Sequence, residues 1–163
     1  MTFKVYTDGG WDMQTCIGAS AIIILKGEEI LYKWVKGRIC RPDPEQKQKV
    51  NEQELGAIIK AVMSVPKGSH LDIYSDSQYA VNVLTGATQA YANQDLIERF
   101  VEEKQKNHVT TNIMWVKAHN GDVYNEVADT MCKEMMEEVK GHGRSIVRET
   151  ENKCLVQYEE EIF

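Results

Sequence analysis

Three extended segments joined by short links open the chain, and this pattern limits its possible folds more than any other feature. Each segment has the alternating or continuous apolar pattern of a β-strand. They are Thr2–Thr7, Ala19–Leu25 and Glu29–Val35. The pair Lys26-Gly27 between the second and third segments fits a tight turn, and strands joined so briefly can only be antiparallel neighbours. We therefore expect the chain to begin with antiparallel hairpins.

The rest of the chain alternates helical and extended patterns. Apolar residues recur at helical spacing in the segments Asn51–Val65, Ser77–Leu84, Gln94–Asn107 and Tyr124–Val139. Extended patterns lie between them at Leu71–Ser75 and Thr110–Lys117. This order predicts an α/β domain with a mixed five-stranded sheet, in which three antiparallel strands are followed by two parallel ones and helices pack on the sheet.

Size and composition are those of an ordinary globular domain. The 163 residues are enough for one core without disulfides, and the longest apolar runs fall far short of the roughly 18 residues of a membrane span. Asp8 follows the first strand too closely to leave room for a signal peptide, so we expect a cytoplasmic protein without a membrane partner. The four cysteines contain no Cys-x-x-Cys pair, which predicts free thiols and no zinc site.

The charge distribution leaves the nature of the ligand open. The net charge of −6 argues against a nucleic-acid ligand, but the segment 149–163 accounts for −4 of it and leaves −2 for residues 1–148. Residues 33–49 carry a basic stretch made of Lys33, Lys36, Arg38, Arg41, Lys47 and Lys49. This stretch is either a nucleic-acid contact or a solvated face.

Carboxylates follow two strands that we expect to be neighbours in the sheet. Asp8 comes directly after the first predicted strand, and Asp76 ends the fourth in the same way. Functional groups of such sheets gather where strands end, so the two carboxylates could share a cation. Each residue alone is equally well explained as a turn residue or helix N-cap.

Two further carboxylates lie in predicted helices. Glu54 is in the first turn of the first helix, where a negative charge is favourable. Asp129 lies inside the last helix close to its apolar face, although aspartate is a mediocre residue for a helix interior. Either a functional role holds Asp129 there, or it forms a surface ion pair with Lys133 at i+4.

Five motifs in this order resemble the type 1 ribonuclease H family. They are Thr7-Asp8-Gly9-Gly10, Glu54-Leu55 at a helix, Tyr74-Ser75-Asp76-Ser77-Gln78-Tyr79, Trp115-Val116-Lys117-Ala118-His119-Asn120-Gly121-Asp122 and Asn125-Glu126-x-Ala128-Asp129. The resemblance covers roughly residues 1–140, and residues 115–129 are its most specific part. It implies a ribonuclease H-like catalytic domain at residues 1–140. Residues 141–163 are then an acidic C-terminal extension. This extension could contain a hairpin through Ser145–Arg148 and Cys154–Tyr158.

The resemblance implies a metal-dependent endonuclease. In the family, the positions of Asp8, Glu54, Asp76 and Asp129 hold two magnesium ions, with Mn²⁺ as an alternative metal, and the enzyme hydrolyses the RNA strand of RNA–DNA hybrids to 5′-phosphate products. Mg²⁺ prefers oxygen ligands, and two such ions can activate a water and stabilise the leaving oxygen. Four carboxylates in one place would repel one another without cations.

The resemblance also assigns one further catalytic residue and three substrate contacts. His119 matches a mobile histidine that assists proton transfer or product departure, although a loop histidine is usually only a solvated side chain. Asn51 and Gln78 match positions that touch the minor groove, and the backbone at Gly9 matches one that approaches a sugar. Asn51 could equally be a helix N-cap, and Gln78 an exposed helix residue.

The sequence departs from the family pattern in two places. The segment 11–17 is shorter than the glycine- and proline-rich turn of many bacterial members, and Thr85–Asn93 contains no Lys or Arg, so the basic projection of some members is absent. We expect a monomer whose binding to the hybrid is either weaker than that of such members or uses the basic stretch instead. The alternatives are a DNA nuclease or resolvase of related fold, which would lack the 115–129 block, and a non-catalytic hybrid-binding module, which would have lost an acid.

The last residues carry a run of acids followed by two apolar residues. The segment Glu159–Phe163 resembles acidic tips by which single-stranded-DNA-binding proteins recruit enzymes, which predicts a protein partner. It could instead be a solubilising terminus, pack on the domain, or compete with nucleic acid over the basic stretch.

Overall fold

One mixed β-sheet organises the protein in the computed structural model, which describes residues 1–42, 46–118 and 120–155, with the side chains of residues 46 and 47 left out. The elements in chain order are β1 (Thr2–Asp12), β2 (Ile17–Lys26), β3 (Glu29–Ile39), α1 (Gln46–Met63), β4 (His70–Ser75), α2 (Gln78–Thr85), α3 (Gln94–Asn107), β5 (Thr110–Trp115), α4 (Val123–His142) and β6 (Ile146–Glu149).

The strand order in the sheet is β5-β4-β1-β2-β3-β6. Strands β1, β2 and β3 are antiparallel neighbours, whereas β4 pairs with β1 and β5 pairs with β4 in parallel. This confirms the mixed α/β sheet that the sequence predicts. Within the described residues the sheet has six strands instead of the predicted five, because β6 is added beside β3.

The sixth strand lies in the predicted C-terminal extension. Ile146–Glu149 pairs antiparallel with β3, and Cys154 is buried in the core. The first strand of the predicted hairpin is therefore present, but its partner is β3, and residues 153–155 form a helical turn instead of the start of a second strand. A four-residue strand with exposed side chains carries too little alternation for sequence analysis to identify its partner. Residues 156–163 lie outside the described part.

Helices cover both faces of the central strands. Helices α1, α2 and α3 pack on one face over a core that includes Phe3, Leu55 and Ile73, and α4 packs on the other face over Ile23 and other side chains. Strand β2 is buried on both faces, which explains why its sequence is a continuous apolar run instead of an alternating pattern.

Two helices extend beyond their predicted ends. Helix α1 begins at Gln46 instead of Asn51, because its first residues are helix-forming but carry no apolar stripe. Glu54 therefore lies about two turns inside α1, and Asn51 is an interior residue, not an N-cap. Helix α4 continues to His142 and ends at Gly143, whose φ of 67° is left-handed. No helix in the described ranges is long and apolar enough to cross a membrane.

Gly37 in β3 allows α4 to pack directly on the sheet. A Cβ atom at this position would lie 2.5 Å from Val139 Cγ2 and 2.7 Å from Met135 Cγ. We expect Gly37→Ala to lower the free energy of unfolding by about 1–3 kcal/mol, because α4 must shift to relieve the overlap. The measurement is urea denaturation followed by circular dichroism.

Gly141 in α4 provides the matched control, since a Cβ there would meet nothing within 4 Å. Gly141→Ala should leave the unfolding midpoint unchanged or raise the free energy of unfolding by up to about 1 kcal/mol through helix propensity. Equal midpoints for the two variants would contradict the packing role of Gly37.

Candidate active site

Three carboxylates from separate elements meet at one end of the parallel strand pair. Asp8 lies in β1, Glu54 in α1 and Asp76 directly after β4. Each offers a carboxylate oxygen, and these oxygens all lie within 4.8 Å of one another. Asp8 lies within β1 and not after it, because β1 continues to Asp12 while its parallel neighbour β4 stops at Ser75. We call these three residues the carboxylate cluster.

Glu54 reaches the cluster because α1 approaches β1 very closely. A Cβ atom at Gly9 would lie 2.5 Å from the Glu54 nitrogen and 2.7 Å from the Gln53 carbonyl carbon, so only glycine fits there without a shift of the helix. The side of Gly9 where a Cβ would point is thus filled by α1. The predicted contact of Gly9 with a sugar remains a prediction.

A hydrogen-bonded network fixes the residue next to Glu54. Ser20 Oγ donates to the Gln53 carbonyl oxygen at 2.8 Å, and Arg38 Nη1 donates to Gln53 Oε1 at 2.7 Å and to Ser20 Oγ at 3.1 Å. This network connects β2, β3 and α1 beside the cluster. Sequence analysis missed it, because the only signal is a polar side chain, Gln53, next to the apolar stripe of α1.

The cluster is an unfavourable place for negative charge. Asp8 and Glu54 are only 4% and 5% exposed. Burial, followed by the charges of Asp76 and Asp129, raises the pKa of Asp8 to about 8. Burial, followed by the charges of Asp8 and Asp76, raises the pKa of Glu54 well above its ordinary value. Glu54 Oε2 is buried and has no hydrogen-bond partner among the described residues.

The fourth predicted carboxylate, Asp129, lies beside the cluster but is not one of its members. It is in α4, and its Oδ2 atom is 2.8 Å from Lys133 Nζ, so the ion pair considered in the sequence analysis is present. Asp129 is still close enough for its charge to raise the pKa of Asp8. The structure therefore brings three of the four predicted carboxylates together and keeps the fourth nearby with a lysine partner.

Stacked tyrosines support the start of α4 next to the cluster. The rings of Tyr6 and Tyr74 stack with centroids 4.9 Å apart, and Tyr124 lies 5.3 Å from Tyr6. Tyr6 and Tyr74 each precede a cluster carboxylate by two residues, on the same face of the sheet. At the start of α4, Asp122 Oδ1 accepts hydrogen bonds from two backbone N–H groups, which fixes the helix end. Sequence analysis did not identify this support.

The remaining predicted site residues are Asn51, Gln78 and His119. Asn51 is half-buried in α1, one turn before Glu54, and its Nδ2 donates to Gln48 Oε1 at 3.3 Å. Gln78 is exposed at the start of α2. His119 lies outside the described residues, so its predicted role is not tested.

A groove of about 580 Å³ runs between β3, α1 and α3 on the α1 face of the sheet. Its cationic lining consists of Lys36, Arg38, Lys60 and Arg99, opposed by Glu52 and Asp95. Lys36 and Arg38 belong to the basic stretch that the sequence analysis singled out. We call this feature the cationic groove. It adjoins the cluster through Gln53, which both lines the groove and precedes Glu54.

Comparison with known proteins identifies the family. The family model described as RNase H matches residues 2–137, which include all three members of the cluster as well as Asp129. The chain belongs to the ribonuclease H family. This confirms the family and the ribonuclease H enzyme class that the sequence motifs predict.

Individual relatives and a solved structure agree with this assignment. The chain is 26% identical over 143 residues to a ribonuclease H of Anaeromyxobacter dehalogenans, covering 80% of this chain and 76% of the relative. It is 29% identical over 158 residues to that of Neorickettsia sennetsu, covering 80% and 90%. The fold is similar to the N-terminal RNase H domain of a Mycobacterium tuberculosis protein solved as a fusion with maltose-binding protein, with a TM-score of 0.71, 14% identity and coverage of 87% and 98%.

The raised pKa values of this ribonuclease H predict how its stability depends on pH without divalent cations. The pKa of Asp8 rises from 3.8 to about 8, so the folded state binds a proton that the unfolded state lacks between those values. Stability should therefore fall as pH rises through this window, by up to about 1.4 kcal/mol per pH unit for each such proton. The measurement is the urea midpoint in EDTA from pH 4.5 to pH 8.

Asp8→Asn should flatten this slope and make the protein more stable than wild type at pH 8, because one buried charge is removed. Glu98→Gln, which removes an exposed carboxylate from α3, should follow the wild-type curve. Parallel wild-type and Asp8→Asn curves would show that the carboxylates do not repel one another as the geometry requires.

Proposed function

We propose that this protein hydrolyses the RNA strand of RNA–DNA hybrids with two divalent metal ions, Mg²⁺ or alternatively Mn²⁺, held at the carboxylate cluster. The observation that carries the proposal is the convergence of Asp8, Glu54 and Asp76 within 4.8 Å in a chain that belongs to the ribonuclease H family. The family supplies the nuclease class, and the cluster supplies the ligands.

The cluster suits a hard divalent cation for two reasons. All its donors are oxygens, which is the ligand type that Mg²⁺ and Mn²⁺ share. Glu54 Oε2 is buried without a hydrogen-bond partner among the described residues, and a buried polar atom of this kind is costly unless it is satisfied. A cation would satisfy this oxygen and offset both the burial and the like-charge repulsion that raise the pKa values of Asp8 and Glu54.

Asp129 is the proposed fourth ligand, although its carboxylate pairs with Lys133. The side chains of the two residues are 26% and 65% exposed, respectively. An ion pair as accessible as this contributes little to stability, typically up to about 1 kcal/mol, so exchanging Lys133 for a cation costs little.

Asp8, Glu54, Asp76 and Asp129 would hold the two metal ions. Such ions would supply activation of a water and stabilisation of a leaving 3′ oxygen, which would give a product with a 5′ phosphate. The protein's own residues bind the ions and orient them. We propose that His119 carries a proton away from the reaction or helps the product to leave, for which an imidazole that titrates near neutrality is suited.

The residues that we propose to contact the substrate are near the cluster in sequence. We propose that Asn51 and Gln78 sense the 2′-hydroxyl group that distinguishes RNA from DNA, together with the backbone at Gly9. Asn51 is one turn from Glu54 in α1, and exposed Gln78 follows Asp76 by two residues. The cationic groove holds backbone phosphates through Lys36 and Arg38, which positions the duplex without reading its sequence.

Four other expectations remain proposals. We expect the protein to act in the cytoplasm as a monomer, with residues 1–140 as the catalytic domain. The predicted partner contact through Glu159–Phe163 lies outside the described residues.

A panel of duplexes tests the function. RNA–DNA, RNA–RNA and DNA–DNA duplexes of one sequence are incubated with the protein and Mg²⁺, and the products are separated on denaturing gels. We expect cleavage of the RNA strand in the hybrid alone, and none in EDTA. Cleavage of DNA–DNA would favour the resolvase-like alternative, and binding without cleavage would favour the hybrid-binding module.

Asp8→Asn tests the cluster within this panel. We expect it to abolish hybrid cleavage and to lose the increase in melting temperature that Mg²⁺ gives the wild type, because the variant lacks a ligand. Glu98→Gln should keep both. An Asp8→Asn variant with a tenth of the wild-type turnover would exclude Asp8 from the metal site.

His119→Ala tests the proton carrier. We expect slower turnover, about 10²-fold or less, without total loss, because a metal-activated water can also give its proton to bulk solvent. The measurement is kcat from pH 6 to pH 9 with saturating Mg²⁺. A wild-type rate at every pH would remove His119 from the mechanism.

Lys36→Gln tests the cationic groove. Each lost phosphate contact should weaken hybrid binding and reduce the slope of log Kd against log salt by about 0.9. Fluorescence anisotropy with the inactive Asp8→Asn background measures both quantities. Lys106→Gln, on the exposed end of α3, is the matched control, and equal behaviour of the two variants would show that the groove does not hold the duplex.

A further inference from the structure

Two cysteines face each other just beyond the last residue pair of the β2–β3 ladder. Ile17 pairs with Ile39, and the next position on each strand is Cys16 and Cys40. The Cys40 N–H donates to the Cys16 carbonyl oxygen at 2.8 Å, so the pairing continues to these residues. Opposed residues of antiparallel strands have Cα atoms about 4.5–5.5 Å apart, which falls within the range of about 4.4–6.8 Å found across disulfides.

Exposure to solvent distinguishes Cys16 and Cys40 from the other two cysteines. Cys16 and Cys40 are half-buried, whereas Cys132 and Cys154 are buried. Cys132 Sγ contacts the Asp8 carbonyl oxygen, and Cys154 lies in the core on the α1 face. Among the described residues, Cys16 and Cys40 alone combine an opposed thiol with access to solvent.

The thiol of Cys16 is only weakly held. Among the described residues, its Sγ donates a hydrogen bond to the Met13 carbonyl oxygen at 3.9 Å, which is long even for sulfur. Cys16 has a φ of 57° at the end of the turn before β2. Rotation about its Cα–Cβ bond therefore breaks no strong hydrogen bond.

We propose that Cys16 and Cys40 are a modification site, at which a low-molecular-weight disulfide such as oxidised glutathione converts the two thiols into an intramolecular disulfide. The thiolate of Cys16 attacks one sulfur of oxidised glutathione and releases one glutathione thiolate. The thiolate of Cys40 then attacks the Cys16 sulfur and releases the second. Two protein thiols are oxidised and one glutathione disulfide is reduced. The two protons lost by the protein thiols pass through solvent to the two released glutathione thiolates, which gives two glutathione molecules.

The Cys40 thiol suits the second of the two attacks. Burial raises the pKa of the Cys40 thiol, which leaves less of it as the nucleophilic thiolate at neutral pH. Cys40 is therefore better suited to the second step, where the mixed disulfide holds its target sulfur close by.

The bond would join one wall of the cationic groove to the turn between β1 and β2. Cys40 lines the groove next to Arg38. The cross-link would tie the turn between β1 and β2 to the segment that leads into α1, without changing any charge of the groove or touching the carboxylate cluster. This inference does not depend on the proposed function, because thiol oxidation can be measured without substrate or metal.

Peptide mapping of the oxidised wild-type protein is the test. The protein is equilibrated in glutathione buffers from fully reduced to fully oxidised, quenched with acid, alkylated and digested with trypsin. We expect the peptides Val5–Lys26 and Ile39–Lys47 to appear linked, two hydrogens lighter than their sum, and to separate on reduction. In urea, the same buffer should give at least tenfold less of this linkage, because unfolding removes the alignment of the strands.

Cys16→Ser and Cys40→Ser provide the matched controls. Each should yield no linked peptides and instead keep a glutathione adduct on the remaining cysteine. The oxidised wild type should also melt several degrees above the reduced form, since a disulfide constrains the unfolded chain, whereas both variants should show no such shift. The proposal is wrong if oxidised glutathione leaves all four thiols alkylatable, gives only mixed disulfides, or links a different pair.

Discussion

The confinement of three carboxylates in a space of 4.8 Å is the constraint on which the rest of the structure depends. Burial and the neighbouring like charges both disfavour ionised carboxylates here, and in that order they raise the pKa values of Asp8 and Glu54. A core built for stability alone would not contain them. The surrounding contacts must therefore hold the three side chains together against their repulsion.

Packing of the backbone elements holds the three carboxylates together against this repulsion. Asp8 and Asp76 are brought together by the parallel pairing of β1 with β4, which is buried under helices on the α1 face. Glu54 is brought to them by the close approach of α1 at Gly9, and the hydrogen bonds of Gln53 hold α1 at this point. Each carboxylate is thus fixed by an element whose own stability comes from apolar burial elsewhere. Contacts among the three carboxylates therefore need not contribute to the stability of the fold.

Sequence analysis predicted the parts of this arrangement that depend on periodicity. The mixed sheet is confirmed, and α3 has the predicted ends, Gln94 and Asn107, because a clear apolar stripe defines it. It failed at the start of α1, which has no apolar stripe, and at β6, which is too short to show a pattern. The pair of Asp129 with Lys133 is one of the two roles that the sequence left open for Asp129. The roles of His119, Asn51 and Gln78 remain predictions.

In the proposed metal site, Asp129 differs from the three cluster carboxylates because it lies outside the cluster and pairs with Lys133. Folding itself brings Asp8, Glu54 and Asp76 together, so the cost of ordering them is met by folding. Asp129 Oδ2 pairs with Lys133, whose side chain is 65% exposed, and this oxygen would have to exchange that contact for a metal ion. Because exposed pairs are weak, this step is cheap in both directions. A ligand held in this way could join or leave the proposed site without disturbing the sheet.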